Sequence, residues 1–140
     1  MRMVQGLLRS GYELGVAVSL LLVIEASLRL TTLPVTCRRL RVRLDLDGVA
    51  PPRGGPSLPR WALPRVRAAR IVSARWPAGD TCLRRCLLLG NRLRDLEPVL
   101  RIGVRRHGSG AFGAHSWLEI GGLALDIGAA DFAALGRPVR

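Results

Sequence analysis

Two apolar runs meet at a pair of glycines in AHSWLEIGGLALDI, Ala114–Ile127. Adjacent glycines between apolar runs predict a two-residue β-hairpin turn, because both positions of such a turn require positive φ. The turn would consist of Gly121 and Gly122, with one strand on each side. We therefore predict strands over residues 114–120 and 123–127, joined by a tight hairpin.

The register of this hairpin decides which side chains share a face of the sheet. With a two-residue turn, Trp117 lies opposite Asp126, and His115 becomes the diagonal neighbour of Asp126 on the same face. Diagonal neighbours are about 7–8 Å apart, within reach of two side chains. A carboxylate there can accept the imidazole N–H and stabilise the imidazolium. A three-residue turn would separate the pair, and Asp131 is the alternative carboxylate.

A cysteine begins the helix that is predicted upstream of the hairpin. Cys82 follows Asp80 and Thr81, either of which can cap a helix N-terminus. The helix dipole and the free amide donors of the first turn favour a thiolate, the form of cysteine that attacks a carbonyl. Cys82, His115 and Asp126 therefore form a candidate catalytic triad of the papain type.

The remaining cysteines and the second histidine are interpreted as non-catalytic. Cys86 lies one turn further along the apolar side of the helix, Cys37 has no histidine nearby in sequence, and His107 lies in a glycine-rich turn. Zinc is the competing explanation for cysteine and histidine together, but the chain contains no C-x-x-C or H-x-x-H pair. It also has no phosphate-binding glycine loop. We predict neither a metal nor another cofactor.

Composition bounds the class of protein. A chain of 140 residues suits one compact domain, and its net charge of +12 comes from 22 basic residues, all arginine. These arginines are scattered and are not interleaved with stacking aromatics, so we predict no nucleic-acid partner. An odd number of cysteines and the lack of an evident secretory signal favour a reducing cytoplasm.

Helical and strand patterns predict an α+β fold, with helices first and an antiparallel meander after them. The helix at residues 12–33 is expected to end before Pro34. A basic segment at 38–43 is a helix end or a short strand. The predicted helices are 12–33, 63–75 and 81–96, and the predicted strands are 99–104, 114–120 and 123–127.

A segment with four prolines and three glycines, residues 48–59, divides the chain. We predict an N-terminal helical region over 1–47, a linker over 48–59, and a catalytic core over 60–140. The apolar run Leu14–Ile24 has 11 residues, short of the ~20 that cross a bilayer, so no transmembrane segment is expected. This run is either core or a docking surface for a partner.

Three segments resemble one known family. They are Cys82-Leu83-x-Arg85 at a helix start, Leu100–Arg105 as the next strand, and Ala114–Glu119 after it. These segments resemble the transglutaminase-like leader peptidases of lasso-peptide biosynthesis. The resemblance covers about residues 60–130 and, more loosely, the N-terminal helix.

The resemblance implies a papain/transglutaminase-like fold with Cys82 as nucleophile, His115 as general base and Asp126 as its orienting acid. It implies a peptidase that removes the leader from a ribosomally made precursor, with a separate protein to recognise the leader and an ATP-dependent cyclase to close the macrolactam afterwards. Only about 60 residues precede the resembling region, so the peptidase is expected to be a chain separate from the recognition protein. An acyl transferase that uses an amine instead of water, and a non-catalytic basic adaptor, are the alternatives.

Overall fold

The computed structural model describes residues 1–46, 55–106, 110, 112–125 and 133–134. It confirms the predicted α+β class. In chain order the elements are α1 (Arg2–Leu30), α2 (Leu33–Leu40), β1 (Arg43–Leu44), α3 (Leu63–Ala74), α4 (Cys82–Arg92), a 3₁₀ turn (Arg94–Leu96), β2 (Val99–Arg106), β3 (Phe112–Ile120), β4 (Leu123–Ala124) and β5 (Ala133–Ala134).

The sheet is built on the predicted hairpin. Gly121 and Gly122 have φ of 59° and 79°, and Ile120 pairs with Leu123 as the two-residue turn requires. Strands β2, β3 and β4 form an antiparallel meander, while β1 adds in parallel to one end of β2 and β5 adds antiparallel to its other end. The predicted turn and register are therefore confirmed as far as β4, and residues 126 and 127 of the predicted strand lie outside the described residues.

The first helix is longer than predicted and ends earlier. It begins at Arg2 rather than residue 12, because apolar residues at helical spacing continue upstream, and it ends at Leu30 rather than residue 33. Thr31 takes extended backbone angles, and its hydroxyl donates to the Ser27 carbonyl at 2.8 Å. Pro34 lies in the first turn of α2, where its missing N–H removes no helical hydrogen bond.

The other predicted elements shift by a few residues. The helix predicted over 81–96 is α4, followed by the separate 3₁₀ turn, and the basic segment at 38–43 forms the end of α2 and the start of β1. Residues 48–54 of the predicted linker, and residue 47 before it, lie outside the described residues. The division into helical region, linker and core remains a prediction.

One side of α1 forms part of the main core. Ala17, Leu21 and Ile24 are at most 1 % exposed and pack in one cluster with Leu87 of α4 and Leu118 of β3. Each fully buried leucine contributes on the order of 2 kcal/mol relative to an exposed one. The apolar run Leu14–Ile24 is therefore core on this side, while Val18, Leu22 and Val23 on the opposite side remain exposed.

By length and composition, α1 could also cross a membrane. Its segment Met3–Leu30 has a mean hydropathy of 1.7 in its most apolar window, of which 22 % is buried within the protein. The prediction of no transmembrane segment considered only the shorter run between Glu13 and Glu25. Both glutamates bind the rest of the protein: Glu13 accepts from Arg92, and Glu25 accepts from Arg84. These two ion pairs attach α1 to α4.

We expect the Glu25–Arg84 pair to make stability depend on acid pH. Two hydrogen bonds from the Arg84 guanidinium, at 2.7 and 3.1 Å, lower the pKa of Glu25 from 4.5 to about 2. The resulting stabilisation is fully present above pH 4.5 and is lost as the pH falls towards 2. Glu25→Gln should therefore lower the unfolding midpoint at pH 6 and lose less stability than the wild type between pH 5 and 2.

Urea unfolding at several pH values measures this difference. Asp95→Asn is the matched control, because the Asp95 side chain is 65 % exposed and lies 3.8 Å from its arginine partner. If wild type and Glu25→Gln lost the same stability between pH 5 and 2, the assignment of this pH dependence to Glu25 would be contradicted.

Candidate active site

Cys82 is the first residue of α4, as the sequence predicts. Of the two candidate caps, Thr81 fills the role: its backbone is extended and its hydroxyl accepts the N–H of Arg84 at 3.3 Å. Gly79, at φ 93°, carries the chain from the end of α3 into this cap. The thiol of Cys82 therefore lies in the first helical turn, beside amide groups that have no acceptor within the helix.

An open cavity of about 200 Å³ borders Cys82. Elements α3, α4 and β3 all contribute to its wall, and Cys82 itself is partly exposed. The lining residues are Val66, Arg70, Cys82, Arg85, Cys86, Leu89, Leu118 and Leu125. Two guanidinium groups therefore border the same space as the thiol; that of Arg85 also binds Asp80 at 2.7 Å.

The other two thiols are buried, as predicted. Cys37 is 1 % exposed, and its burial raises the pKa of this thiol to about 11. Cys86 is 7 % exposed, and its thiol donates to the carbonyl of Ser116 at 3.4 Å. Cys82 is therefore the most accessible of the three cysteines.

We expect iodoacetamide at pH 8 to alkylate Cys82 alone in the folded protein. A thiol with a pKa near 11, such as Cys37, is thiolate only about one time in a thousand at this pH, and burial also blocks the reagent. Peptide mass spectrometry after brief labelling identifies the modified residue. Cys82→Ala serves as control and should take up label only in denaturant; native labelling of Cys37 or Cys86 at a similar rate would contradict the description.

His115 lies on β3, opposite Gly103 of β2. Its imidazole stacks on Trp117, with ring centroids 6.5 Å apart and an interplanar angle of 21°. Trp117 is fully buried and its indole N–H donates to Glu119 at 3.2 Å. Arg101, on the neighbouring strand, donates to the second carboxylate oxygen of Glu119 at 3.1 Å. The face of β3 that carries His115 is thus held by a buried hydrogen-bonded network.

The helix of Cys82 packs directly on the strand of His115. The hydrogen bond from Cys86 to the Ser116 carbonyl joins the two elements, one turn after Cys82 and one residue after His115. The Leu118 carbonyl accepts from Leu125, on the β4 side of β3. Carbonyls two residues apart on a strand point to the same side, so the Ser116 carbonyl also points to the β4 side of β3. The Cys86 thiol meets it there.

Strand alternation separates two sets of side chains on β3. Leu118 packs in the main core and borders the Cys82 cavity, whereas Trp117 belongs to a second cluster with Ala124. His115 stacks on Trp117 and so shares that second face. Strand alternation therefore places the His115 side chain and the Cys82 cavity on opposite faces of β3.

The carboxylate of the predicted triad is not among the described residues. Asp126, its alternative Asp131, and His107 all lie outside them, so the triad remains a prediction. Within the described part of the chain, no group of three or more histidine, cysteine, aspartate or glutamate side chains is placed to hold a metal ion.

Sequence analysis missed the network behind His115. Glu119 lies two and four residues from Trp117 and His115, so strand alternation places the three on one face, but nothing in that spacing predicts the hydrogen bonds that Glu119 accepts from Trp117 and Arg101. Arg101 also donates to Asp45 next to β1, a pairing across 56 positions. Such a long-range pairing leaves no local signal in the sequence.

Comparison with known families agrees with this architecture. The sequence profile described as the Transglutaminase-like superfamily matches residues 20–136, which begin within α1 and include α4 and the whole meander. Searches of curated proteins and of solved structures gave no match. The profile covers most of the chain, and the chain belongs to the transglutaminase-like superfamily.

Proposed function

We propose that this chain is a cysteine peptidase that removes the leader from a ribosomally made lasso-peptide precursor. The observation that carries the proposal is the position of Cys82, at the N-terminus of α4 and on the border of an open cavity. The transglutaminase-like fold is usually that of a cysteine protease or an acyl transferase, and both need a nucleophile so placed. The resemblance of the Cys82 and Ala114–Glu119 segments supports the narrower substrate class.

In this mechanism Cys82 attacks the carbonyl at the junction between leader and core peptide. His115 accepts the thiol proton and then donates it to the leaving amine, while Asp126 holds the imidazole in the required tautomer. Water then hydrolyses the thioester and releases the leader. The backbone N–H of Cys82, free in the first turn of the helix, donates to the oxyanion.

The proposed reaction requires partners. A separate recognition protein presents the leader, and a cyclase closes the macrolactam ring after cleavage, in the cytoplasm. The basis for these partners is the resemblance described above. We propose no metal or other cofactor for the peptidase step.

The test is incubation of the full chain with a precursor peptide and its recognition protein. Mass spectrometry follows release of the leader by wild type, Cys82→Ala, His115→Ala and Asp126→Ala. Loss of release in all three variants supports the triad. Loss in Cys82→Ala and His115→Ala alone would support the nucleophile and the base and would reject Asp126 as the acid. Asp131→Ala then tests the alternative acid.

An acyl transferase is the second candidate, because the superfamily includes this chemistry and shares the thioester step. Here an amine, rather than water, would resolve the acyl-enzyme. The mass of the core product distinguishes the two: a free carboxyl indicates hydrolysis, and an added amine indicates transfer. A non-catalytic adaptor would bind the precursor and give neither product.

A further inference from the structure

A second and larger cavity lies between α1 and α3. It has a volume of about 730 Å³, within the range of peptide and small-molecule sites. Its lining is mainly apolar and includes three arginines. The lining residues are Ser10, Leu14, Arg60, Leu63, Pro64, Val66, Arg67, Ala68, Arg70 and Ile71, which we call the α1/α3 groove.

The three arginines of the groove take no part in the ion pairs that hold the described elements together. Arg60, Arg67 and Arg70 are exposed, and none of them forms an ion pair with a described carboxylate. By contrast, each arginine of a second group binds at least one acidic side chain: Arg65, Arg84, Arg85, Arg92 and Arg101. The three guanidinium groups, without an ion pair to a described carboxylate, produce a positive local field that attracts anionic ligands.

The groove and the cavity at Cys82 share two lining residues. Val66 and Arg70 line both spaces, so a ligand in the groove borders the space that contains the thiol. A groove lined by apolar residues and arginines suits an extended peptide, because the alternate side chains of the peptide can contact the apolar residues and the arginines in turn.

We infer that the α1/α3 groove binds the segment of the peptide substrate next to the cleaved bond, and that this segment carries acidic and apolar side chains. The inference rests on the proposed peptidase function, because that function makes Cys82 the place where the bound peptide is cleaved. Carboxylates of the peptide pair with Arg60, Arg67 and Arg70, and its apolar side chains cover Leu14, Leu63 and Ile71. The last two are 53 % and 38 % exposed in the free protein.

Fluorescence anisotropy tests the groove without requiring turnover. The full chain carrying Cys82→Ala is titrated with two labelled ten-residue peptides of leucine and glutamate, one of them with every glutamate replaced by glutamine. The acidic peptide is expected to bind at least about tenfold more tightly at 50 mM salt, and the difference should shrink at 500 mM as screening increases.

A matched pair of triple variants locates the effect. Arg60→Gln, Arg67→Gln and Arg70→Gln together should abolish the preference for the acidic peptide. Arg38→Gln, Arg39→Gln and Arg43→Gln remove the same charge from exposed positions outside the groove, and should retain it. Equal loss in both triple variants, or equal binding of the two peptides by the parent protein, would overturn the inference. Equal binding of the two peptides by the parent protein overturns the inference even if a variant fails to fold.

Other occupants give different results in the same experiment. Sedimentation with vesicles of phosphatidylglycerol and phosphatidylcholine detects a membrane surface, and light scattering detects a second copy of the chain. Loss of vesicle binding or self-association in the groove variant, with unchanged peptide binding, would overturn the peptide assignment. If cleavage of a precursor does not depend on its acidic residues, the assignment of the groove fails and the proposed peptidase function stands. If the chain prefers the acidic peptide but the wild type does not cleave the precursor, the peptidase function fails and the acidic groove stands.

Discussion

Cys82→Ala is expected to lower the rate of leader release by on the order of 10⁴-fold or more, because no other group of the site forms the thioester. The thiol lies at the first position of α4, and alanine is accepted there without disturbing the Thr81 cap. Loss of activity should therefore occur in a protein that folds as well as the wild type. Single-turnover kinetics with the precursor and recognition protein measure the rate, and urea unfolding measures the fold.

Cys37→Ala is the matched control for this result. It removes a buried thiol from α2 that does not border the Cys82 cavity, and the rate of release should be unchanged. Undiminished release by Cys82→Ala would refute the peptidase mechanism. An equal loss in Cys37→Ala would show that the assay responds to folding rather than to the nucleophile.

Glu119→Ala is expected to destabilise the protein by about 2–4 kcal/mol, because a guanidinium and a buried indole N–H both lose their acceptor. The cost stays below that of a fully unpaired buried charge, because Arg101 keeps its ion pair with Asp45. The Arg101 and Glu119 side chains are only 13 % and 8 % exposed, and the indole of Trp117 also depends on this carboxylate. Alanine would leave a guanidinium and an indole N–H without their shared acceptor. For a domain whose total stability is about 5–15 kcal/mol, that is a large fraction.

Two further variants separate charge from hydrogen bonding at this position. Glu119→Gln keeps one acceptor oxygen and should lose less stability than alanine. Asp95→Ala removes an exposed carboxylate and should change stability by no more than about 1 kcal/mol. Urea unfolding of the three variants ranks them, and a loss for Glu119→Ala as small as that for Asp95→Ala would contradict the network.

The parts of this fold that were predictable from sequence are those with local causes. Gly121 and Gly122 both require positive φ, so they determine the turn type and the pairing of Ile120 with Leu123. Thr81 before Cys82 defines a helix start by the same kind of local rule. The same register places Asp126 near His115, but Asp126 lies outside the described residues and its role stays a prediction.

What was not predictable depends on packing between distant segments. The parallel pairing of β1 with β2 joins Arg43 to Val99 across α3 and α4, and no short-range pattern encodes it. The bond from Arg101 to Glu119 follows from the β2–β3 register. The α1/α3 groove likewise exists only because α1 packs against α3, and no local pattern encodes that packing.

The attachment of α1 to α4 sets the order of events during synthesis. Glu25 and Glu13 bind Arg84 and Arg92, which follow them by 59 and 79 positions. At a translation rate of about 5–20 residues per second, α1 waits roughly 4–16 s before the second of these partners has been made. Leu118, which packs in the same cluster as Leu21 and Ile24, is made only after that interval. The nascent chain therefore presents its most apolar helix to chaperones and lipid surfaces before the residues that bury it exist.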